Sequence, residues 1–156
     1  VHENRIKHIT CSHIGSNKET VAKVVAGEIN VTFTPQGTLC ERIRAGGAGI
    51  GGILTPTGLG TPMEEGKQVI EVDGKRYILE TPLHADLALI HAWKADKMGN
   101  CIFRHTARNF NSIMATAADL VIVEAEEIVE VGELEPDYIM TPGCLVDCIV
   151  QGCRPE

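Results

Sequence analysis

Aromatic side chains are scarce in this 156-residue chain: Phe, Tyr and Trp together make up 4% of it. A chain of this length buries a sizeable core, and that core must be aliphatic. The runs DLALIHAW at 86–93 and ADLVIVEA at 118–125 supply it. An excess of positive charge is also missing. The formal net charge is −7, which argues against non-specific nucleic-acid binding, where Lys and Arg must neutralise phosphates. An anionic small ligand met by a local basic patch stays open. No stretch approaches the ~18 apolar residues of a membrane span, so no membrane partner is expected. The polar start VHENRIKHIT is no secretory signal, and there is no initiator Met. The chain therefore reads as a processed or trimmed piece, a single domain over 1–156, with a cytoplasmic setting expected.

Two further motifs are missing. No Gly-Lys-Ser/Thr occurs, which excludes a P-loop. No C-x2-C pair occurs either. The six cysteines, Cys11, Cys40, Cys101, Cys144, Cys148 and Cys153, are spread too widely for a disulfide scaffold. Cys144, Cys148 and Cys153 lack a second ligand pair for zinc. Reduced, mostly buried thiols and no bound metal are expected.

What is present reads as alternating strands and helices. RIKHITCSHIG (5–15) and the β-branched INVTFTP (29–35) read as strands. Between them, Ser16-x-x-Glu19 predicts a capping box, and Val21, Val24 and Val25 predict a helix ended by Gly27. TLCERIRAGG predicts a short helix with a second capping box, Thr38-x-x-Glu41, terminated by Gly46 and Gly47. KQVIEVDGKRYILE predicts a hairpin turning on Asp73-Gly74. DLALIHAWKA predicts a strand covered on both faces, and MGNCIFRHT a turn and strand. NSIMATAADL predicts a helix leading into LVIVEA, EEIVEVGELEPDYI a helix broken at Gly132 and Pro136, and CLVDCIVQG a last strand. The pattern is α/β with a mixed sheet.

RAGGAGIGGILTPTGLGTP (44–62) holds seven glycines, and Gly47, Gly49 and Gly52 spell G-x-G-x-x-G. A dinucleotide fingerprint follows a strand and opens a helix. This segment follows a helix-like stretch, and Pro56 and Pro62 prevent a long helix after it. Glycine also permits close backbone approach and positive φ, so a ligand surface and structural packing both stay open. Just upstream, Gln36, Gly37 and Thr38 fall at a strand's carboxyl end, the edge where α/β sheets bind ligands. A glutamine amide there can contact a carboxylate or carbonyl, or simply face solvent.

Together SHIGSNKET, TPQGTLCERIRAGGAGIGGILTPTGLGT, EEGKQ, GKRYILE, ADLALIHAWKADKMGN, TARNFN and TPGCLVD resemble the α subunit of family I coenzyme A transferases. The acetate/acetoacetate (butyrate–acetoacetate) and 3-oxoacid enzymes are the nearest in kind. The resemblance spans nearly the whole chain in order. It implies a coenzyme A-transferase-like α/β fold with a mixed, largely parallel sheet flanked by helices. It also implies ping-pong transfer of CoA between a short-chain acyl-CoA (acetyl-, butyryl- or acetoacetyl-CoA) and a carboxylic acid, through a glutamyl-CoA thioester. The nucleophilic glutamate of the family lies in a Ser-Glu-Asn-Gly motif on a β subunit. That motif is absent here, so no catalytic nucleophile is assigned to this chain. Glu41, Glu64, Glu65, Glu80, Glu124, Glu126 and Glu127 are read as caps, surface charges or partner contacts.

The resemblance carries a substrate/CoA cleft onto Gln36, Gly37, Thr38, Gly46, Gly47, Gly49, Gly51, Gly52, Thr55 and Thr57. Arg108, Asn109 and Asn111 match as possible site support, or as a loop held by Asn hydrogen bonds. It implies no cofactor beyond CoA as substrate, and a hetero-oligomer of α2β2 type with a β-subunit partner. The family's α subunit begins with a further strand–helix–strand unit, so the chain is expected to be N-terminally incomplete and inactive alone. Two other readings remain: a non-catalytic binding or assembly module of the same fold, and a sugar-phosphate isomerase-like enzyme. The long TPQGTLCERIRAGGAG stretch favours the transferase over the isomerase.

Overall fold

The structure is a computed structural model and describes residues 1–152. Its internal contacts fall into two compact units, residues 1–42 with 52–81, and residues 43–51 with those from 82 on. Each unit carries its own sheets.

In the first unit, β1 (His8–Cys11) and β2 (Asn30–Phe33) pair in parallel, His8 opposite Asn30 and Cys11 opposite Phe33. Parallel neighbours need a crossover, and α1 (Lys18–Val25) supplies it. Its N-cap is Asn17, not the expected Ser16. Asn17 is extended, and its side chain accepts from the Thr20 amide at 2.9 Å. Glu19 thus falls one position too early for a capping box and pairs with Lys23 at 3.1 Å instead. Gly27, with φ +74°, ends the helix as expected, its amide donating to Val24 and the next amide to Lys23.

Helix α2 (Gln36–Gly47) starts two residues before the expected Thr38. Thr38 lies inside its first turn, so the predicted second capping box does not form. The helix also runs through Gly46 and Gly47 rather than stopping at them. Its end is made by Gly49, φ +68°, with Gly49 N–H bonded to Gly46 O and Ile50 N–H to Ala45 O.

The second sheet of this unit has the order β3 (Ile53–Thr55), β5 (Lys75–Glu80), β4 (Val69–Val72), all antiparallel. The β4–β5 hairpin turns on Asp73 and Gly74, both with positive φ (50° and 72°), as Asp-Gly predicts. Ile78 is fully buried on β5.

The second unit holds one four-stranded sheet in the order β7 (Cys101–Ile102), β6 (Ala85–Asp96), β8 (Ala118–Val129), β9 (Cys148–Gln151). β7 runs antiparallel to β6, while β6, β8 and β9 are parallel. Strands distributed over three sheets replace the single mixed sheet the sequence suggested, within the expected α/β class. Ala88, Ile90 and Ala92 on β6 lie beside Val121, Val123 and Ala125 on β8, and all six are buried with Phe103 and Ala115.

Helix α3 (Arg108–Met114) packs on β6. The expectation that DLALIHAWKA is covered on both faces is not met. The opposite face leaves Leu87 45% and Leu89 66% exposed, with Leu120 and Val150 also exposed. The helix expected over EEIVEV is strand instead. Residues 126–129 continue β8 because Glu127, Ile128 and Val129 pair in register with Lys94, Ala95 and Asp96.

The expected mostly buried thiols are also corrected. Of the described cysteines only Cys101 is buried; Cys11 and Cys40 are half-buried, and Cys144 and Cys148 are exposed. Cys153 lies outside the described residues. Among the described residues no group of three or more His, Cys, Asp or Glu is placed to hold a metal ion.

Candidate functional site

The chain leaves β2, passes Pro35 and enters α2, which puts Gln36, Gly37 and Thr38 at the carboxyl edge of the β1–β2 pair. Thr38 is 4% exposed, so its hydroxyl sits where water is scarce. Across from this turn lie β3 and the turn after it. Between them is a cavity of about 530 Å³, lined by Gly37, Thr38, Cys40 and Glu41 from α2 and by Leu54, Thr55 and Thr57. The Thr57 amide donates to Thr55 Oγ1 at 3.2 Å, which fixes the turn. Glu41 is the one carboxylate among the residues lining this cavity.

At the adjoining helix start the Ser12 hydroxyl donates to Gln36 Oε1. The site thus offers hydroxyls and an amide in an apolar-walled hollow, a donor set suited to carboxylate and carbonyl oxygens.

One turn along α2, Arg42 leads to a buried ion cluster. Its Nε donates to Thr81 O at 2.7 Å and lies 3.8 Å from Glu80 Oε2. Lys67 Nζ reaches Glu80 Oε1 at 2.5 Å. Glu80 is only 3% exposed, so it is neither a cap nor a surface charge, which corrects the sequence reading. A carboxylate at this depth persists because two cations, Lys67 and Arg42, compensate it. The cluster joins α2 to β5, the central strand that pairs with cavity-lining β3.

The structure gathers Gly37, Thr38, Thr55 and Thr57 on the cavity and places Gln36 beside it. The glycines do several different things. A Cβ on Gly46 would lie 2.0 Å from Leu83 O, and one on Gly47 would lie 2.0 Å from Thr116 Oγ1. Both glycines permit close packing inside the second unit. Gly52 does the same in the first, where a Cβ would meet Leu79 and the Glu80 carbonyl at 2.9 and 3.0 Å. Gly49 supplies the left-handed helix stop, and Gly51 has open space beside it. A helix precedes this segment and β3 follows it, the reverse of a dinucleotide fingerprint.

In the second unit, Asn111 Oδ1 accepts from the His91 amide at 3.0 Å and its Nδ2 donates to Ala107 O at 2.6 Å. Asn111 thereby ties α3 to β6. Arg108 Nε donates to His105 O at 3.2 Å, and Asn109 is exposed. Ser12, Arg42 and Lys67 are not singled out in the sequence, and Glu80 reads there as a cap, surface charge or partner contact. Ser12 ends a period-two polar row with His8 and Thr10, and Glu80 falls two residues after buried Ile78 on one strand. Both signals were legible as alternation.

A mixed α/β scaffold with an apolar-walled, hydroxyl-bearing cavity beside a parallel strand edge defines the broad class, and comparison narrows it. Residues 1–152 match the coenzyme A transferase family, and the chain belongs to that family. It is 54% identical over 146 residues to the acetate CoA-transferase subunit alpha of Escherichia coli K12, covering 94% of this chain and 66% of that protein. It is 50% identical over 151 residues to the acetoacetyl-CoA:acetate/butyrate CoA transferase alpha subunit of Clostridium acetobutylicum, covering 97% and 69%. The chain thus spans about two thirds of the length of these curated relatives. Among solved structures, an acyl-CoA transferase from E. coli O157:H7, crystallised as a thioester complex with CoA, superposes with a TM-score of 0.82 at 25% identity. That match covers 94% of this chain and 32% of the other.

Proposed function

We propose that this chain is the α-side component of a coenzyme A transferase that exchanges CoA between a short-chain acyl-CoA and a carboxylic acid. A β-subunit partner brings the nucleophilic glutamate, and the two chains act together in a hetero-oligomer. The glutamate carboxylate attacks the acyl-CoA carbonyl. The tetrahedral oxyanion collapses, expelling CoA thiolate and leaving an acyl-glutamyl anhydride. Thiolate then attacks the glutamyl carbonyl, releasing the first carboxylate and leaving glutamyl-CoA. The acceptor acid runs the same steps backward. Each tetrahedral stage carries negative charge on oxygen, and placed N–H and O–H donors stabilise it. Gln36, Thr38, Thr55 and Thr57 are the groups of this chain assigned to that role, with the turn at Gly37 giving access.

One observation carries the reading beyond family membership. The TPQGT and TPTG segments, separated in sequence by the run GGAGIGG among other residues, meet on one cavity. Its lining offers threonine hydroxyls, the Cys40 thiol and a single carboxylate, Glu41.

The test is to co-express the chain with a family β subunit and follow acetate-dependent consumption of acetoacetyl-CoA or butyryl-CoA. Transfer by the pair, and none by the chain alone, is expected. Gln36→Ala should lower turnover with the assembly intact, while Glu41→Gln should leave the glutamyl-CoA step in place. A pair that transfers CoA to no short-chain acid sinks the reading.

A further inference from the structure

Ser12 stands one residue past the carboxyl end of β1, and Gln36 stands just past the carboxyl end of β2. The two strands are parallel neighbours, so both residues leave the same edge of the sheet, although 24 positions separate them in sequence. The Ser12 hydroxyl donates to Gln36 Oε1. A glutamine amide has one acceptor end and one donor end. With that oxygen facing Ser12, one of its two lone pairs is taken and both Nε2 hydrogens are left for an incoming ligand.

We infer that Ser12 is a positioning residue that sets the polarity of the Gln36 amide, so that the site recognises oxygen acceptors, a carboxylate or a thioester carbonyl, and disfavours donors. The inference rests on the transferase reading for its reaction, but the contact itself does not. A carboxylate substrate and a tetrahedral oxyanion offer only acceptors. An amide free to turn over would present its own oxygen to them half the time, oxygen against oxygen. One fixed by Ser12 presents donors without reorganising during the reaction, which is where an oriented dipole has most effect. Gly37 and Thr38, the next two residues, line the cavity, so the oriented amide sits at its edge.

The experiment is a double-mutant cycle on the chain paired with its β subunit. Ser12→Ala should lower kcat about tenfold, the scale of one well-placed hydrogen bond, with the KM for acyl-CoA changed less than about twofold. Ser12→Thr keeps the hydroxyl and should recover most of the loss. In a Gln36→Ala background, Ser12→Ala should cost nothing more. An undiminished kcat in Ser12→Ala, or an equal loss in both backgrounds, overturns the inference.

If the unsubstituted pair transfers no CoA, the functional reading has failed. The contact is then judged by the side-chain amide resonances of Gln36 in the 15N-labelled full chain, identified by their loss in Gln36→Ala. They should shift in Ser12→Ala; unshifted resonances overturn the assignment.

Discussion

Strands β6 and β8 bury Ala88, Ile90, Ala92, Val121, Val123 and Ala125 against Phe103 and Ala115, whereas the most buried positions of the first unit include Thr20, Thr34, Thr38 and Glu80. The second unit is held by area removed from water, which is non-directional and tolerant of small shifts. The first is held to a larger degree by hydrogen bonds and ion pairs, which fix distances and angles. Directional contacts suit the unit with the cavity, because under the proposed function its donors to an oxyanion must not drift. The aliphatic unit carries polar contacts too, the Asn111 tie between α3 and β6 and a turn at Asp96. There Asp96 accepts from the amides of Met98 and Asn100, each at 3.0 Å.

The contrast can be broken by substitutions on each side. The largest stability effect is expected from Ile90→Ala in the aliphatic core, about 3–4 kcal/mol, since it removes buried area and leaves a cavity. Denaturant unfolding of the full chain measures it, and a loss under 1 kcal/mol would mean that this core is loosely packed. Next comes Gly46→Ala, about 3 kcal/mol, because a new methyl would meet the Leu83 carbonyl, and backbone gives way poorly. A neutral result would show that α2 can shift there.

Glu80→Gln should cost about 2 kcal/mol by leaving Lys67 and Arg42 without their carboxylate, less than a fully buried pair because Lys67 is 28% exposed. Transfer activity should fall with it if the cluster sets the cavity's width; activity unchanged at lowered stability would confine Glu80 to folding. Asn17→Ala should cost about 1 kcal/mol, the loss of one helix cap, read in the same unfolding experiment.

The smallest effect is chemical. Burial, with the Asp96 charge beside it, pushes the Cys101 thiol from 9.0 up to about 12. A thiol raised in the folded state favours the protonated form, so its contribution is complete below pH 9 and is lost as pH rises from 9 toward 12. At pH 8 a thiol reagent should therefore modify exposed Cys144 and Cys148 and spare Cys101. Rapid labelling of Cys101 in native protein would show that the second unit opens readily.

Much of the local structure was legible. Asp73-Gly74 turned as a primed hairpin, Gly27 ended α1, and 118–125 formed a strand, because each rests on local sterics or short periodicity. The misreadings share a cause. Ser16 and Asn17 are both good caps, and which one stands at the first turn depends on where the chain enters from β1. EEIVEV has helical propensity, and pairing with Lys94, Ala95 and Asp96 overrode it. The site was half legible. TPQGT and TPTG were visible as motifs, but nothing in their spacing places them on one cavity. Alternation puts Ser12 and Glu80 each on one side of a predicted strand, but their partners at Gln36 and Lys67 come only with the fold.

The sequence by itself determined that this is an aliphatic, acidic α/β chain of the coenzyme A transferase family, because periodicity, turn chemistry and long motifs are local or linear properties. Four glycines of 44–62 gain their reason only from the tertiary structure. Gly46, Gly47 and Gly52 are set by what packs against them, Leu83, Thr116 and β5, and Gly49 by the exact end of a helix that outran its expected stop. Contacts between residues distant in sequence carry that information, and a backbone without a side chain cannot announce its neighbours in advance.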